Sequence, residues 1–187
     1  MSKLNAVVVE LARVFERAHI SYMVIGGMAA QVWANPRFTA DIDIAVGVDP
    51  RDPAKLFEVL KPLVKAMRPD AAELVRDTGI LRFTHKKDVS VDLGVSETPY
   101  LLNALDRAVD VEVDGQTVKF CTPEDLILHK LLADRTQDRD DIKAVIRRQG
   151  KKLDRAYLDP LVEQIAEATY RPEILERYRS LLSVTRS

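Results

Sequence analysis

A single cysteine, Cys121, occurs among 187 residues, which excludes an intramolecular disulfide and suits a reducing compartment. That cysteine and the three histidines show no zinc-ligand spacing. An excess of either charge is missing too. The 28 Lys and Arg stand against 29 Asp and Glu, so no global field marks the chain for nucleic acid. The opening stretch, "MSKLNAVVVELARVFERAHI", is amphipathic and studded with charge, and reads as neither a signal peptide nor a membrane span. Internal repeats and low-complexity segments are absent. What is present is ordinary for a globular chain, 47% apolar and 30% charged, and long enough for one domain with or without a small appendage. A cytoplasmic protein with no membrane partner is expected.

Leu4, Val7, Val8, Leu11, Val14 and Phe15 recur at helical spacing, which predicts an amphipathic helix over residues 3–18. "SYMVI" (21–25) reads as a short strand ended by Gly26-Gly27, and "MAAQVWA" as a short helix stopped by Asn35-Pro36. "DIDIAV" alternates and predicts the second strand. Pro53 opens a helix expected to run about four turns, up to Pro69. "ILRFTH" and "VSVDLGV" flank Lys86-Lys87-Asp88 as a hairpin, and "DVEV" and "TVKF" flank Asp114-Gly115, the preferred dipeptide of a type I′ turn. From Thr122 the chain turns helical, with a capping hydroxyl followed by Pro123, and breaks are expected near Thr136-Gln137, Gly150 and Arg171-Pro172. This order implies an α/β (α+β) fold, a mixed sheet flanked by helices with a helical C-terminal part.

Asp41 and Asp43 lie two apart on a strand, so they project from one face while Ile42, Ile44 and Val46 face the core. Parallel carboxylates this close repel unless a cation neutralises them, and Mg²⁺ favours one or two carboxylates plus substrate phosphates. Asp92 is a lone charge on the polar face of its own strand, with Ser90 and Gly94. Were the two strands neighbours, three aspartates would converge and could hold two metal ions. The plainer alternative is that Asp-x-Asp marks the wet face of an antiparallel strand and Asp92 is an unrelated surface charge. Gly26 and Gly27, between strand and helix, let a backbone approach a ligand closely, or simply make a tight turn. Arg37 and Thr39 precede the aspartates, and Arg37 has two uses open to it: a phosphate, or pairing with Asp41.

Apolar strand, Gly-Gly, short helix, Arg-x-Thr-x-Asp-Ile-Asp and a later strand with one Asp together resemble the nucleotidyltransferase superfamily typified by DNA polymerase β. The resemblance covers residues 21–95, with Gly27 where the family often has serine. It implies a nucleotidyltransferase-like core over 1–120 and a helical region over 121–187. It implies transfer of a nucleoside monophosphate from an NTP to an acceptor hydroxyl. Asp41, Asp43 and Asp92 would bind two Mg²⁺ ions, or Mn²⁺, and carry the catalysis. Gly26, Gly27, Arg37, Thr39 and Lys130 would bind the nucleotide.

"TPEDLILHKLLADRTQDRDDI" (122–142) resembles the AbiEii/AbiGii-type toxin nucleotidyltransferases, on Lys130, Arg135, Asp138 and Asp141. That branch implies an RNA acceptor, a tRNA 3′ end in particular, and a neutralising antitoxin protein as partner. A small-molecule acceptor of the antibiotic kind, and a catalytically silent nucleotide-binding module, use the same core and stay open. From the residues alone, Lys130 in an almost wholly apolar helix must either snorkel or find an anion. Asp138 and Asp141 read as a helix N-terminus. The basic run "RRQGKK" (147–152) reads as a solvated helix end or as a lead-in for an RNA backbone.

Overall fold

The computed structural model describes residues 2–34 and 38–184. Ser2 caps the first helix, α1 (Lys3–Arg17), by accepting the Asn5 N–H at 3.0 Å, and Val7, Val8, Leu11 and Phe15 form its fully buried face. β1 (Tyr22–Val24) follows, and α2 (Gly26–Trp33) begins at the glycine pair itself. β2 (Asp41–Gly47) is the alternating segment, with Ile42, Ile44 and Val46 wholly inside.

Beyond this point the structure corrects the sequence reading. α3 (Ala54–Leu60) is only half the expected length, and the chain re-enters the sheet as β3 (Val64–Met67). Pro62 is the cause: its ring would clash with the carbonyl four residues back, so the helix stops before it. Two short helices are additions to that reading. α4 (Ala71–Thr78) closes on Gly79, which takes a left-handed φ of +67°. α5 (Pro99–Asp106) is capped by the Thr98 hydroxyl, with proline at its first position. β4 (Ile80–His85) and β5 (Ser90–Ser96) form the first hairpin. β6 (Val109–Val113) and β7 (Gln116–Phe120) form the second, through Asp114 and Gly115 at φ +49° and +77°, the two positive values a type I′ turn requires.

The seven strands make one mixed sheet in the order β3-β4-β5-β2-β1-β7-β6. β2 is parallel to β5 and antiparallel to β1, while β1 is parallel to β7. α1 packs on β2 and β7, and its apolar face meets the inward side chains of the central strands.

The C-terminal segment is all helix: α6 (Pro123–Ala133), α7 (Thr136–Gln149), a 3₁₀ turn at Gly150–Lys152, α8 (Arg155–Ala168) and α9 (Glu173–Val184). Thr122 caps α6 by accepting the Asp125 N–H at 3.2 Å. Leu126, Ile127, Leu131, Ile142, Val145, Val162 and Ile174 form its interior. By contacts the chain separates into two compact units, Met1–Met28 with Phe38–Cys121, and Ala29–Arg37 with Thr122–Ser187. The far end of α2 therefore belongs with the helical unit. Among the described residues no helix is long and apolar enough to cross a membrane.

Candidate active site

The strand-to-helix turn and the Asp-x-Asp strand are built against each other. β1 runs antiparallel to β2, with Val24 opposite Ile44, and the Ile25 N–H then donates to the Asp43 carbonyl at 2.9 Å. This brings the next residue, Gly26, onto the Asp43 side chain. Gly26 has a φ of +62°, and a Cβ there would lie 1.9 Å from Asp43 Oδ2. Gly27 does the same for Thr39: a Cβ would lie 2.4 Å from Thr39 Oγ1. Thr39 is nearly buried, and its hydroxyl donates to Asp41 Oδ1 at 2.9 Å. The two glycines thus make room for the two aspartates, one directly and one through the threonine. In this pair the close approach is to side chains of the protein itself.

Strand register assembles the rest. Asp43 stands opposite Asp92 across β2 and β5, and Asp92 stands opposite Arg82 across β5 and β4. Residues two apart share a face, so Asp41, Asp43, Asp92 and Arg82 all project from one side of the sheet. The register places Asp92 directly beside Asp43. The Arg82 guanidinium grips Asp92 through Nε and Nη2, at 2.7 and 2.5 Å. Its pKa is raised above the ordinary arginine value, first by that hydrogen-bonded pair and further by the fields of Asp43 and Asp41. One guanidinium therefore sits in the field of all three carboxylates.

Sequence reasoning missed Arg82, although the signal was present. A turn at 86–88 puts His85 opposite Val89, and counting back from there pairs Arg82 with Asp92. Among the described residues no group of three or more His, Cys, Asp or Glu side chains is drawn together tightly enough to hold a metal ion as it stands.

Gly26, Gly27, Thr39, Asp41, Asp43 and Asp92 are thus brought together in the sheet unit. Arg37 lies outside the described residues. Lys130 belongs to the helical unit, where its side chain is almost fully buried and its ammonium meets Asp138 Oδ1 at 2.9 Å and Asp141 Oδ2 at 2.6 Å. Asp138 also accepts the Arg135 N–H at 3.1 Å, at the start of α7. The anion that Lys130 finds is internal. The basic run is partly engaged as well: Arg148 donates to the Ala34 carbonyl at the end of α2, and nearby Arg155 is paired with both oxygens of Asp159.

Residues 2–184 match the profile of the family described as "Nucleotidyltransferase of unknown function (DUF6036)". No curated protein matches by sequence. Among solved structures, the fold is similar to that of ANT(2")-Ia in complex with adenylyl-2"-tobramycin, with a TM-score of 0.56 and 13% identity over 95% of this chain and 99% of that one. It is similar to an antigenic nucleotidyltransferase-like protein from Paracoccidioides brasiliensis, with a TM-score of 0.52 and 20% identity over 77% of this chain and 74% of that one. JHP933 from Helicobacter pylori is a third, with a TM-score of 0.50 and 14% identity over 98% of this chain and 90% of that one. At these identities the likeness is one of fold. A match over nearly the whole length, on a chain whose three aspartates share one face of the sheet beside the glycine pair, is decisive at the level of the superfamily: the chain belongs to this family of nucleotidyltransferase enzymes.

Proposed function

We propose that the chain moves a nucleoside monophosphate from an NTP to an acceptor hydroxyl, with Mg²⁺ held by Asp41, Asp43 and Asp92. The observation behind this reading is the register that puts Asp43 beside Asp92, with Gly26 shaped around Asp43. Three hard carboxylate groups on one face suit Mg²⁺ or Mn²⁺ in chemistry and in direction. When bound, two such ions would neutralise the triphosphate and the developing charge on the reacting oxygens. The acceptor oxygen bonds to the α-phosphorus, the bond from that phosphorus to the bridging oxygen breaks, and pyrophosphate leaves. The acceptor's proton passes to Asp92 or to solvent.

Thr39 keeps Asp41 oriented. Backbone N–H groups at the start of α2, together with Arg37, are assigned to the phosphates. Lys130 would reach a phosphate only by leaving Asp138 and Asp141, so we give it a structural role. The single buried Cys121 fits a cytoplasmic setting.

For the acceptor we favour an RNA 3′ end, that of tRNA first, on the resemblance of residues 122–142 to the toxin branch. A toxin of that kind has an antitoxin protein as its partner. A small molecule is the second reading, favoured by the likeness to ANT(2")-Ia, whose structure holds an adenylylated tobramycin. Incubating the protein with each α-labelled NTP, Mg²⁺ and total RNA, and separately with an antibiotic panel, separates the two. Label on RNA that vanishes in Asp43→Ala, with the variant's melting temperature held, is expected. Label on a small molecule alone selects the second reading. Label on neither favours a silent binding module.

A further inference from the structure

Arg82 is in direct contact with Asp92, and the reaction as written does not use it. Its Nε and Nη2 occupy both oxygens of Asp92, so a metal drawing on Asp92 must compete with a fork already in place. The two cations also repel each other directly, because they would share one small carboxylate cluster.

The grip is one that can be released. The Arg82 side chain is 70% exposed and that of Asp92 is 24% exposed. A pair this open to water shifts an equilibrium by a factor of about five at most. The guanidinium also has somewhere to go. Arg82 lines two neighbouring cavities, of 340 and 270 Å³, and Arg68 lines both with it. The larger also presents the hydroxyl residues Thr84 and Ser90. Both spaces adjoin the Arg82 side chain, which is rooted on β4.

We propose that Arg82 is a displaceable internal counter-ion, which holds Asp92 in the metal-free protein and yields it when a divalent cation binds. This rests on the metal-binding reading of Asp41, Asp43 and Asp92. Arg82 is then a positioning residue acting through Asp92. In the metal-free protein it keeps the three carboxylates from splaying apart. At the moment of metal entry it sets a threshold that weak or partial occupancy does not cross. Once released, its guanidinium lies in the groove it shares with Arg68, which is itself paired with Asp70 at 2.8 and 2.6 Å.

The test uses Mn²⁺ alone as probe, titrated into the full chain without nucleotide and read by electron paramagnetic resonance. Arg82→Gln should bind Mn²⁺ about two- to fivefold more tightly than the parent, with Arg82→Lys in between. In chelator, Arg82→Gln should melt below the parent, and Mn²⁺ should close that gap. A merely structural arginine would move the melting temperature and leave Mn²⁺ affinity alone. Should Arg82→Gln fail to fold, Arg82→Lys, which keeps the charge and loses the fork, still tests the point by its tighter Mn²⁺ binding. Parent Mn²⁺ binding that depends on Asp43 but is unchanged or weakened in both Arg82 variants overturns the counter-ion proposal and leaves the metal site standing. Parent binding that is unaffected by Asp43→Ala overturns both.

Discussion

A methyl group added at Gly26 strikes the site through the backbone and through Asp43 together. Gly26 has a φ of +62°, a region that costs an L-residue roughly 1–2 kcal/mol. The added carbon would lie 1.9 Å from Asp43 Oδ2, 2.6 Å from its Cγ and 2.7 Å from its Cβ. Rotating the carboxylate clears the oxygen but not the Cβ, which the β2 backbone holds in place. Either the turn or the strand must shift, at a further cost of about 1–3 kcal/mol. Gly26→Ala should therefore lose about 2–5 kcal/mol, which in a chain of this length lowers the melting temperature by about 5–15 °C.

Gly115→Ala is the matched control, because its φ is +77° and nothing lies within 4 Å of the added carbon. The two variants share the backbone cost, so the difference between their melting temperatures isolates the contact with Asp43. We expect Gly26→Ala to melt several degrees below Gly115→Ala and to lose metal-dependent NTP turnover, while Gly115→Ala keeps it. Adding Asp43→Gly to Gly26→Ala should restore the part due to the clash without restoring turnover. Equal melting temperatures for the two single variants would refute the claim that this glycine exists to seat Asp43.

Lys130→Met should lower stability by about 3–5 kcal/mol, because it leaves Asp138 and Asp141 buried without their cation. If calorimetry finds the fold unaffected while the KM for NTP rises, the ammonium serves the nucleotide instead. Stability should also fall as pH drops below 6.5. Burial pushes the pKa of His85 and of His129 below that ordinary value, Lys87 and Lys86 add to the effect at His85, and Glu10 opposes it there. Both imidazoles then stay neutral inside while their unfolded counterparts take up protons. The slope is at most about 1.4 kcal/mol per histidine per pH unit. It is absent above 6.5 and ends at the lower folded pKa values. Thermal melts from pH 7.5 to 5.5 should show this decline, and the double variant His85→Gln/His129→Leu should flatten it; a parent whose melting temperature does not change over that range refutes it.

How much could be read without coordinates follows the range of the interaction concerned. Helix α1, the Asp114-Gly115 turn and the capped start of α6 are set by residues within a few positions of one another, and the sequence displays them openly. The same Thr-Pro signature that announced α6 at Thr122 also stands at Thr98, before α5. Pro62 likewise announces the end of α3. Those two elements were legible in principle, and it was the reading that fell short. The face shared by Asp41, Asp43 and Asp92 was half legible: strand phase fixes which residues point together, but not which strands are neighbours. The parallel pairing of β2 with β5 spans some fifty residues and is decided by the packing of the whole sheet.

Lys130 poses a different question. An ammonium in an apolar helix demands an anion, and the sequence posed that demand correctly, but Asp138 and Asp141 lie only two to three helical turns further along the chain. A reading that seeks a ligand for every buried charge must first exhaust the charges the chain can fold back upon it. The same order of reasoning, applied across the hairpin, leads from Asp92 to Arg82 before it leads to any metal. Three carboxylates on one face repel one another, and the neighbouring strand supplies an internal cation to one of them.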